Sequence, residues 1–261
     1  MEEVNQIQRA ALAWNVLIDI AENRKFIQYK ELGDQIGIHH RVVRIVLAVI
    51  QKYCLENHLP PITILVGDED GVPGTGFIAW DILNLEYGKN QVYDYNWKLL
   101  ENPFVYALDG ITEDEVVTSL LNNPESSEDV YARVKVRGTA QTLFRKALLK
   151  AYKSRCAMCG LSFEFALQAA HIVSWNKSTH AQRLDVRNGI LLCANHHYLF
   201  DNGIIFVNEQ YIIQVNNKTK IKTDSDRIIV TAVNNIKLNL PKDNRLHPNV
   251  EYLKSHNKHL K

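Results

Sequence analysis

The apolar positions in the N-terminal part of the chain predict three helices. Residues 4–23 repeat apolar side chains at helical spacing, which is typical of an amphipathic helix. A short segment at 26–29 follows. Residues 30–36 then predict a short helix and 39–57 a long one, with Gly37 in the tight turn between them. This is a helix-turn-helix pattern, which can bind DNA, although many helical hairpins are only structural.

The next part of the chain predicts a wing. Pro60 and Pro61 end the helical unit, and the apolar run at 62–66 predicts a strand. The loop DEDGVPGTGFIAW contains three glycines and leads into a second short apolar segment. We interpret it as a wing-like hairpin, which would complete a winged helix-turn-helix-like domain over residues 1–85.

A connecting region and a second domain are predicted after residue 85. Residues 86–132 are acidic and irregular, with a short helix near 112–122 and a linker at 123–127. The second domain, 133–261, begins with a basic helix at 139–153. The alternating segment IIFVNEQYIIQV predicts a hairpin that turns at Asn208-Glu209, and 250–261 predict a closing helix. The predicted fold class is therefore α+β.

Charge is unevenly distributed, although the net charge is only +1. Between Arg133 and Phe200 there are 11 Lys and Arg residues and 2 acidic ones, whereas Glu86–Ala132 has 10 acidic and 2 basic residues. Basic stretches attract phosphate backbones. The alternative is that the two segments face each other or are solvated.

Composition narrows the class of protein. Hydrophobic residues make up 46% and charged residues 23% of the 261 positions, as in ordinary globular proteins. No apolar run reaches the roughly 18 residues that would suggest a membrane span. The polar N-terminus has no signal-peptide character, so we expect a cytoplasmic protein with no membrane partner. In a reducing compartment, clustered cysteines indicate metal rather than disulfide.

Two ligand pairs predict a structural Zn²⁺ site. Cys156 and Cys159 form one C-x-x-C pair, and Cys193 with His196 forms a C-x-x-H pair 34 positions further on. Paired sulfur and nitrogen donors on two tight turns suit tetrahedral zinc. A C-x-x-C alone would also suit a redox motif. Because four protein ligands leave no open position, this zinc should stabilise the fold and take no part in chemistry.

The segments QAAHIVSW (168–175) and RLDVRNGILLCANHHYLFD (183–201) carry a family resemblance. They resemble the HNH (His-Me finger, ββα-metal) endonucleases, in particular a restriction-type branch with AHI and C-x-x-H-H motifs. The resemblance is close over about 50 residues and implies a zinc-stapled ββα-metal domain. In it His171 is the general base, Asn188 orients the loop that carries the base, and His197 binds a catalytic Mg²⁺ or Mn²⁺.

The residue types suit phosphodiester hydrolysis. A water must be made nucleophilic, and histidine has the near-neutral pKa that this needs. A cation must also polarise the scissile phosphate and stabilise the leaving oxygen. The chain departs from the family at Ala170, where many members have a metal-binding Asp. Asp201 lies one helical turn after His197 and is a candidate replacement ligand; it could equally be an ordinary residue at the end of a helix.

Basic residues in both domains are candidate DNA contacts. Near the predicted catalytic site and at the start of the predicted recognition helix they are Lys150, Arg183, Arg187, His39, Arg41 and Arg44. The N-terminal end of a recognition helix is the end that meets base edges. A solvated helix face is the alternative for the basic helix.

A second resemblance covers about residues 29–80. The stretches YKELGDQIG, HHRVVRIVL and LPPITILVGDEDGVPGTGF resemble the winged helix-turn-helix of alkylguanine DNA alkyltransferases. That family carries its reactive cysteine in a Pro-Cys-His-Arg stretch, where this chain has Pro61-Ile62-Thr63-Ile64. Since the nucleophile is absent, alkyl transfer is not predicted. The resemblance implies a DNA-binding shape that could read a sequence or a modified base.

Together these observations predict a metal-dependent endonuclease that cuts double-stranded DNA in a restriction or defence role. Cutting both strands would call for two active sites, and hence a homodimer. The alternative from another class is a non-catalytic DNA-binding regulator, in which Ala170 has inactivated the metal site. Nothing in the residues excludes RNA as the substrate, although the helix-turn-helix pattern favours duplex DNA.

Overall fold

The computed structural model describes residues 4–258, and these form two compact units. The first unit comprises the chain up to residue 113 together with 133–139. The second comprises 114–132 and the chain from 140 onwards. The predicted α+β class is confirmed, since helices are combined with two-stranded sheets. Residues 86–132, predicted to connect two domains, are divided between the two units.

The first unit is mainly helical, and its three N-terminal helices agree with the predicted ones to within two residues. Its elements are α1 (Gln6–Glu22), β1 (Ile27–Gln28), α2 (Tyr29–Gln35), α3 (His40–Glu56), β2 (Val66–Gly67) and α4 (Leu85–Tyr93). Asn5 begins α1, because its Oδ1 atom accepts hydrogen bonds from the amides of Ile7 and Gln8, both at 3.1 Å.

Trp14 lies at the centre of the first unit's core. Its side chain is fully buried on the face of α1 that packs against α3. Edge-to-face contacts join its ring to Tyr53, Trp97 and Phe104, with centroids 5.7–5.8 Å apart. This geometry adds to the stabilisation that burial alone provides.

The two helices predicted on either side of Gly37 are present as α2 and α3, joined by a turn. Gly37 has φ = 72°, a backbone conformation that glycine adopts without the steric cost of a Cβ atom. The side chain of His39 then caps α3 by accepting a hydrogen bond from the Arg41 amide. The turn therefore sets the start of the candidate recognition helix.

The predicted strand at 62–66 and the wing-like hairpin are wrong. Ile62–Leu65 form a 3₁₀ turn, and only Val66–Gly67 (β2) pairs, in parallel, with β1. All the residues from 62 to 66 are buried, so the apolar run reflects enclosure on every side rather than a strand. After β2, the Asp68 carboxylate accepts hydrogen bonds from the amides of Asp70 and Val72 and closes a local turn where a second strand was expected.

The second unit contains the remaining elements. They are α5 (Glu113–Asn122), α6 (Ser127–Val134), α7 (Arg137–Ala151), β3 (Leu167–His171), α8 (His180–Leu184), β4 (Gly189–Cys193), α9 (Ala194–Asp201), β5 (Ile205–Val207), β6 (Ile213–Val215), α10 (Asp224–Thr231) and α11 (Val250–Asn257). Helices α5, α6 and α7 each include one to three residues that are assigned to the first unit. The predicted helix near 112–122 is confirmed as α5.

The expected linker at 123–127 is helical instead. Pro124–Ser126 form a 3₁₀ turn that leads directly into α6. The buried Ser127 hydroxyl donates a 2.6 Å hydrogen bond to the carbonyl of Ala181. Pro124 and the polar residues around it indicated a loop here, but this tertiary contact packs the segment onto α8.

A small antiparallel sheet and the helix after it position the candidate site. Strands β3 and β4 pair with Leu167 opposite Cys193 and His171 opposite Gly189. Helix α9 begins at the next residue and packs on both strands. A Cβ atom at Gly189 would lie 2.5 Å from the ring of Phe144, so glycine at this position lets α7 approach the end of the sheet closely.

The predicted C-terminal hairpin is confirmed as the antiparallel pair β5 and β6. At its turn, the Asn208 side chain accepts hydrogen bonds from the amides of Gln210 and Ile212. The closing helix predicted at 250–261 is observed as α11 over Val250–Asn257, and residues 259–261 of the predicted segment lie outside the described residues.

Candidate active site

The four predicted zinc ligands converge. The ligand atoms of Cys156, Cys159, Cys193 and His196 all lie within 4.8 Å of one another. The Nδ1 atom of His196 is 3.7 Å from the Cys156 sulfur and 3.2 Å from the Cys193 sulfur, and the sulfurs of Cys159 and Cys193 are 3.9 Å apart. Tetrahedral zinc with Zn–S bonds of about 2.3 Å would separate two sulfurs by about 3.8 Å. The donor set therefore fits Zn²⁺.

The electrostatics of the three thiols also favour a bound cation. Burial opposes ionisation of Cys156, but hydrogen bonds from His196 and from backbone amides lower the pKa of its thiol to about 6. Burial, together with the neighbouring sulfurs, raises the pKa of Cys159 and of Cys193. Three thiolates this close repel one another, so a cation among them is needed for all three to ionise.

The ligands lie where two tight structures meet. Cys156 and Cys159 belong to a turn in which the Gly160 amide donates to the Cys156 carbonyl at 2.9 Å. Cys193 ends β4, and His196 lies in the first turn of α9. A metal here would attach the turn to the strand-helix junction, so it would hold β4 and α9 in place.

His171, the predicted base, stands at the end of β3. Its ring stacks on Phe144 with centroids 4.1 Å apart and makes an edge contact with Trp175. The Nε2 atom lies 3.1 Å from the carbonyl oxygen of Arg183. Since a carbonyl only accepts, Nε2 carries the proton, and the neutral ring has its lone pair on Nδ1.

Asn188 is fully buried and joins both ends of the loop after β3. Its Oδ1 atom accepts a 2.8 Å hydrogen bond from the Val173 amide, and its Nδ2 atom donates to the carbonyls of Val173 and Gln182 at 3.2 and 3.0 Å. It also donates to the hydroxyl of Ser178. Gln182 adjoins Arg183, whose carbonyl is hydrogen-bonded to His171, so Asn188 supports the segment that orients the His171 ring.

His197 and Asp201 form a pair on one face of α9. The Nε2 atom of His197 lies 3.2 Å from the Oδ2 atom of Asp201. On the other side of the ring, Nδ1 hydrogen-bonds to the Oε1 atom of Gln168 on β3. An amide oxygen accepts, so Nδ1 carries the proton and the Nε2 lone pair of the neutral ring points towards a carboxylate. Two metal ligands with an orienting partner behind one of them would adopt such an arrangement.

The residue before the base cannot contribute a ligand. Ala170 is fully buried and lies opposite Ile190 in the sheet. Asp201 is on α9, beside His197, and is exposed. A carboxylate oxygen is therefore present at the site, although it comes from the helix rather than the strand.

These groups line one cleft of about 500 Å³. Its wall includes His171, His197, Asp201, Trp175 and Lys177. Helix α11 adds His256, whose ring stacks on Phe200 with centroids 4.2 Å apart and whose Nδ1 atom donates to the Ile172 carbonyl at 3.0 Å. The histidine and carboxylate side chains thus share a space that is large enough for a phosphodiester and its water.

Sequence reasoning missed several residues of this cleft. Gln168 orients His197, Phe144 stacks on His171, and His256 arrives from the C-terminal helix. Gln168 could have been found, because it lies in the QAAHIVSW motif on the same strand as the base. Nothing in the local sequence marks Phe144 or His256, since both come from distant helices.

The candidate DNA contacts of the second unit already have partners. Arg187 forms a two-point ion pair with the buried carboxylate of Asp185 and a further contact with Glu125, and the hydrogen bonds from Asp185 raise its pKa. Lys150 lies 2.7 Å from Asp114.

Arg183 is held differently, by aromatic rings. Its guanidinium lies 5.2 Å from the ring centre of Tyr131 and 5.1 Å from that of Trp175. It also donates a 2.6 Å hydrogen bond to the Tyr131 hydroxyl. No carboxylate pairs with it within residues 4–258, so its charge is not neutralised beside the cleft.

The candidate contacts of the first unit lie at the start of α3. His39 is the N-cap and stacks on His40, with ring centroids 4.1 Å apart. Arg41 and Arg44 are exposed on the first turn and a half of the helix. Neither arginine forms an ion pair with a described carboxylate, so both remain available to a phosphate backbone.

Comparison with known proteins locates a family within the second unit. Residues 156–208 match the model of a family described as HNH endonuclease. The match spans the four clustered metal ligands, β3, β4 and α9, and it indicates a nuclease-type domain that acts on DNA. No curated protein matches the chain. Over residues 4–258, no helix combines the length and the apolar character that crossing a membrane requires.

Proposed function

We propose that this protein is a metal-dependent endonuclease that hydrolyses phosphodiester bonds in double-stranded DNA. The observation that carries the proposal is that His171 and the His197–Asp201 pair face one cleft. Hydrolysis of a phosphodiester bond needs a base to activate water and a divalent ion on the other side of the phosphate.

His171 is the general base in this proposal. The Arg183 carbonyl fixes the ring tautomer so that Nδ1 can accept a proton from water. The water oxygen then bonds to phosphorus, the bond from phosphorus to the leaving 3′-oxygen breaks, and that oxygen takes up a proton. Asn188 is a positioning residue, because it supports the loop that holds His171 without itself exchanging protons.

His197 and Asp201 would hold the catalytic ion, Mg²⁺ or Mn²⁺, through Nε2 and a carboxylate oxygen. When bound, such an ion polarises the scissile phosphate and stabilises charge on the leaving oxygen. Gln168 keeps the His197 ring in the tautomer that offers Nε2. The cysteine cluster would hold Zn²⁺ with four protein ligands, so that ion would stabilise the fold and take no part in this chemistry.

DNA would be held by basic and polar side chains near the cleft and in the first unit. Arg183 and Lys177 lie beside the cleft, and His39, Arg41 and Arg44 start the candidate recognition helix. Arg187 and Lys150 remain predicted contacts, although phosphate would have to compete with Asp185 and Asp114 for them. We assign the first unit the role of DNA reader.

We propose a restriction-type or defence role in the cytoplasm, because the chain combines a candidate DNA reader with a nuclease-type domain. Since one such site cuts one strand at a time, cutting of both strands would need a homodimer. Sedimentation of the protein with and without a DNA duplex tests this part separately from the chemistry.

The experiment that tests the activity is cleavage of supercoiled plasmid, unmodified and base-modified, in Mg²⁺, Mn²⁺ or no added divalent ion. We expect ion-dependent nicking or cutting that His171→Ala abolishes and His58→Ala, at an exposed histidine of the first unit, leaves intact. If the protein binds DNA but no combination of ion and modification gives cutting, the non-catalytic DNA-binding protein is the better assignment, and the buried Ala170 explains why.

A further inference from the structure

A basic cavity of about 530 Å³ lies at the end of α7 in the second unit, and it shares no lining residue with the candidate active-site cleft. Lys153, Arg155 and Lys242 line it, and all three side chains are exposed. Within residues 4–258, none of the three forms an ion pair with a carboxylate and no carboxylate lines the cavity. Three cations without a neutralising acid attract a polyanion.

The backbone brings two of these cations together at a cost to stability. Lys153 and Ser154 both have left-handed backbone conformations, with φ = 54° and 50°, which turn the chain sharply after α7. The Asn239 amide donates to the Ala157 carbonyl at 2.8 Å and so places the segment that carries Lys242 against the same turn. The ammonium group of Lys242 lies beside that of Lys153 and lowers its pKa. Like charges this close destabilise the folded chain unless an anion lies beside them.

Two exposed phenylalanine rings lie next to this basic cavity. Phe165 is 88% exposed and Phe163 is 62% exposed, and their rings stack on each other with centroids 5.9 Å apart. The residue between them, Glu164, accepts a 3.3 Å hydrogen bond from the Ser154 hydroxyl. Ser154 lies between two of the three cations along the chain. Aromatic rings exposed beside basic side chains indicate an interaction surface.

The loop that presents these rings is fixed in place. The Nη2 atom of Arg145 donates hydrogen bonds to the Glu164 carbonyl at 2.8 Å and to the Leu167 carbonyl at 3.2 Å. The loop leads directly into β3, the strand that ends at His171. The rings are therefore held in solvent by a rigid part of the candidate nuclease domain, so no ordering of the loop opposes binding.

The pairing of cations with aromatic rings indicates the kind of ligand. Basic groups that hold a phosphate backbone, beside rings on which bases stack, are typical of sites for single-stranded nucleic acid. In a duplex the bases already stack on one another, so the cations would find phosphates but the rings would find no base face. An unpaired strand satisfies both.

We propose that Lys153, Arg155 and Lys242, together with Phe163 and Phe165, bind an unpaired segment of DNA. The cations contact its phosphates and the rings stack on its bases. The proposal rests on the nuclease function proposed above, and it makes DNA with an unpaired stretch, such as an overhang, the preferred substrate.

The test measures DNA binding by the full chain, without added divalent ion, through the fluorescence anisotropy of labelled DNA. The probes are a blunt duplex and the same duplex with an oligothymidylate overhang. We expect the overhang to bind about tenfold more tightly, because stacking of one base on an aromatic ring contributes about that factor. Phe165→Ala should remove this advantage and leave binding of the blunt duplex unchanged.

Two further variants control for the ring. Phe165→Trp retains an aromatic face, so it should keep the preference for the overhang, and the fluorescence of the new indole should be quenched when a base stacks on it. Tyr87→Ala removes a ring of the first unit that is also 62% exposed, and it should leave both affinities unchanged.

The cations are tested by the salt dependence of oligothymidylate binding. Lys153→Gln and Lys242→Gln should each lower the slope of log K against log salt concentration by about 0.7, the value for one phosphate contact on a single strand. Without DNA, Lys242→Gln should also raise Tm, because the repulsion of Lys153 is lost. Lys254→Gln is the matched control, since its ammonium is already paired with Glu251 at 2.8 Å. Its slope should match that of the unmodified protein, and its Tm should not rise.

The proposal is overturned if overhang and blunt duplex bind equally, if Phe165→Ala weakens both alike, or if the lysine variants keep the full salt slope. Tighter binding of an RNA strand, or inorganic phosphate raising Tm as much as oligothymidylate does, would also overturn it. So would a change in sedimentation of free Phe165→Ala with unaltered DNA binding, which would assign the rings to an interface between two copies. Plasmid nicking that depends on His171 would still establish the nuclease after any of these results.

Discussion

The Nε2 atom of His197 lies 3.2 Å from the Oδ2 atom of Asp201, one helical turn later on α9. With Nδ1 of the same ring bonded to Gln168, the pair presents one nitrogen lone pair and one carboxylate to the cleft. In the proposed mechanism this pair would hold the hard cation in place of a ligand at residue 170, because Ala170 is buried and apolar.

Replacement of Asp201 should lower the affinity of the site for the catalytic ion and leave the stability of the fold unchanged. We expect Asp201→Asn to lower the nicking rate at limiting Mg²⁺ by about 100-fold, with part of the rate recovered at higher Mg²⁺, because one ligand charge is lost. The measurement is nicking rate against Mg²⁺ concentration. Asp224→Asn, at an exposed position of α10, is the control. An unchanged Mg²⁺ dependence in Asp201→Asn would show that this carboxylate is not a ligand.

Gln168 should act only through the orientation of His197. We expect Gln168→Leu to raise the Mg²⁺ concentration for half-maximal rate by about 10- to 100-fold, the usual effect of losing a partner behind a metal ligand. Gln168→Glu retains an oxygen acceptor and should recover most of the affinity. If both variants behave alike, the hydrogen bond to Nδ1 of His197 does not orient the ring.

Loss of Asn188 should be a stability effect as well as a catalytic one. Asn188→Ala would leave the Val173 amide and the Gln182 carbonyl without their partner inside a buried region. We expect the free energy of unfolding to fall by about 3 kcal/mol, measured by urea denaturation. Asn202→Ala removes a single exposed bond to the Tyr198 carbonyl and should cost about 0.5 kcal/mol or less. Equal losses in the two variants would contradict the role assigned to Asn188.

The cysteine cluster should bind one Zn²⁺ per chain and stabilise the second unit. We expect Cys159→Ser to lose the metal and to lower Tm. Zinc affinity should also fall as pH is lowered, because protons compete for the thiolates and for His196. Cys54→Ala is the matched control, since this buried thiol, whose pKa burial raises to about 12, lies outside the cluster. The zinc content of the purified protein tests the expected one Zn²⁺ per chain. Retention of zinc by Cys159→Ser would exclude Cys159 as a ligand.

Much of the candidate site could be predicted from the sequence, because its key residues are local. Cys193, His196, His197 and Asp201 fall within one strand end and one helix, where spacing alone decides which side chains share a face. The pairing of Cys156 and Cys159 with them follows from the demand of zinc for four soft donors. The helix, turn and helix at 29–56 could also be predicted from local sequence, because Gly37 marks the turn and the apolar periodicity marks the helix on either side.

Only the tertiary structure decided which distant groups meet. The run at 62–66 is a buried turn and not a strand, because a continuous apolar run has no period that separates enclosure from pairing. Gln168 was visible in a motif, but its contact with His197 depends on how α9 packs against β3. The basic cavity that brings Lys153 and Lys242 together became apparent only in the folded chain. The sequence determined the candidate reactive groups, because short-range spacing decides which side chains share one face. The cavities, the partners of buried polar groups and the pairing of charges depend on long-range packing, which no local pattern encodes.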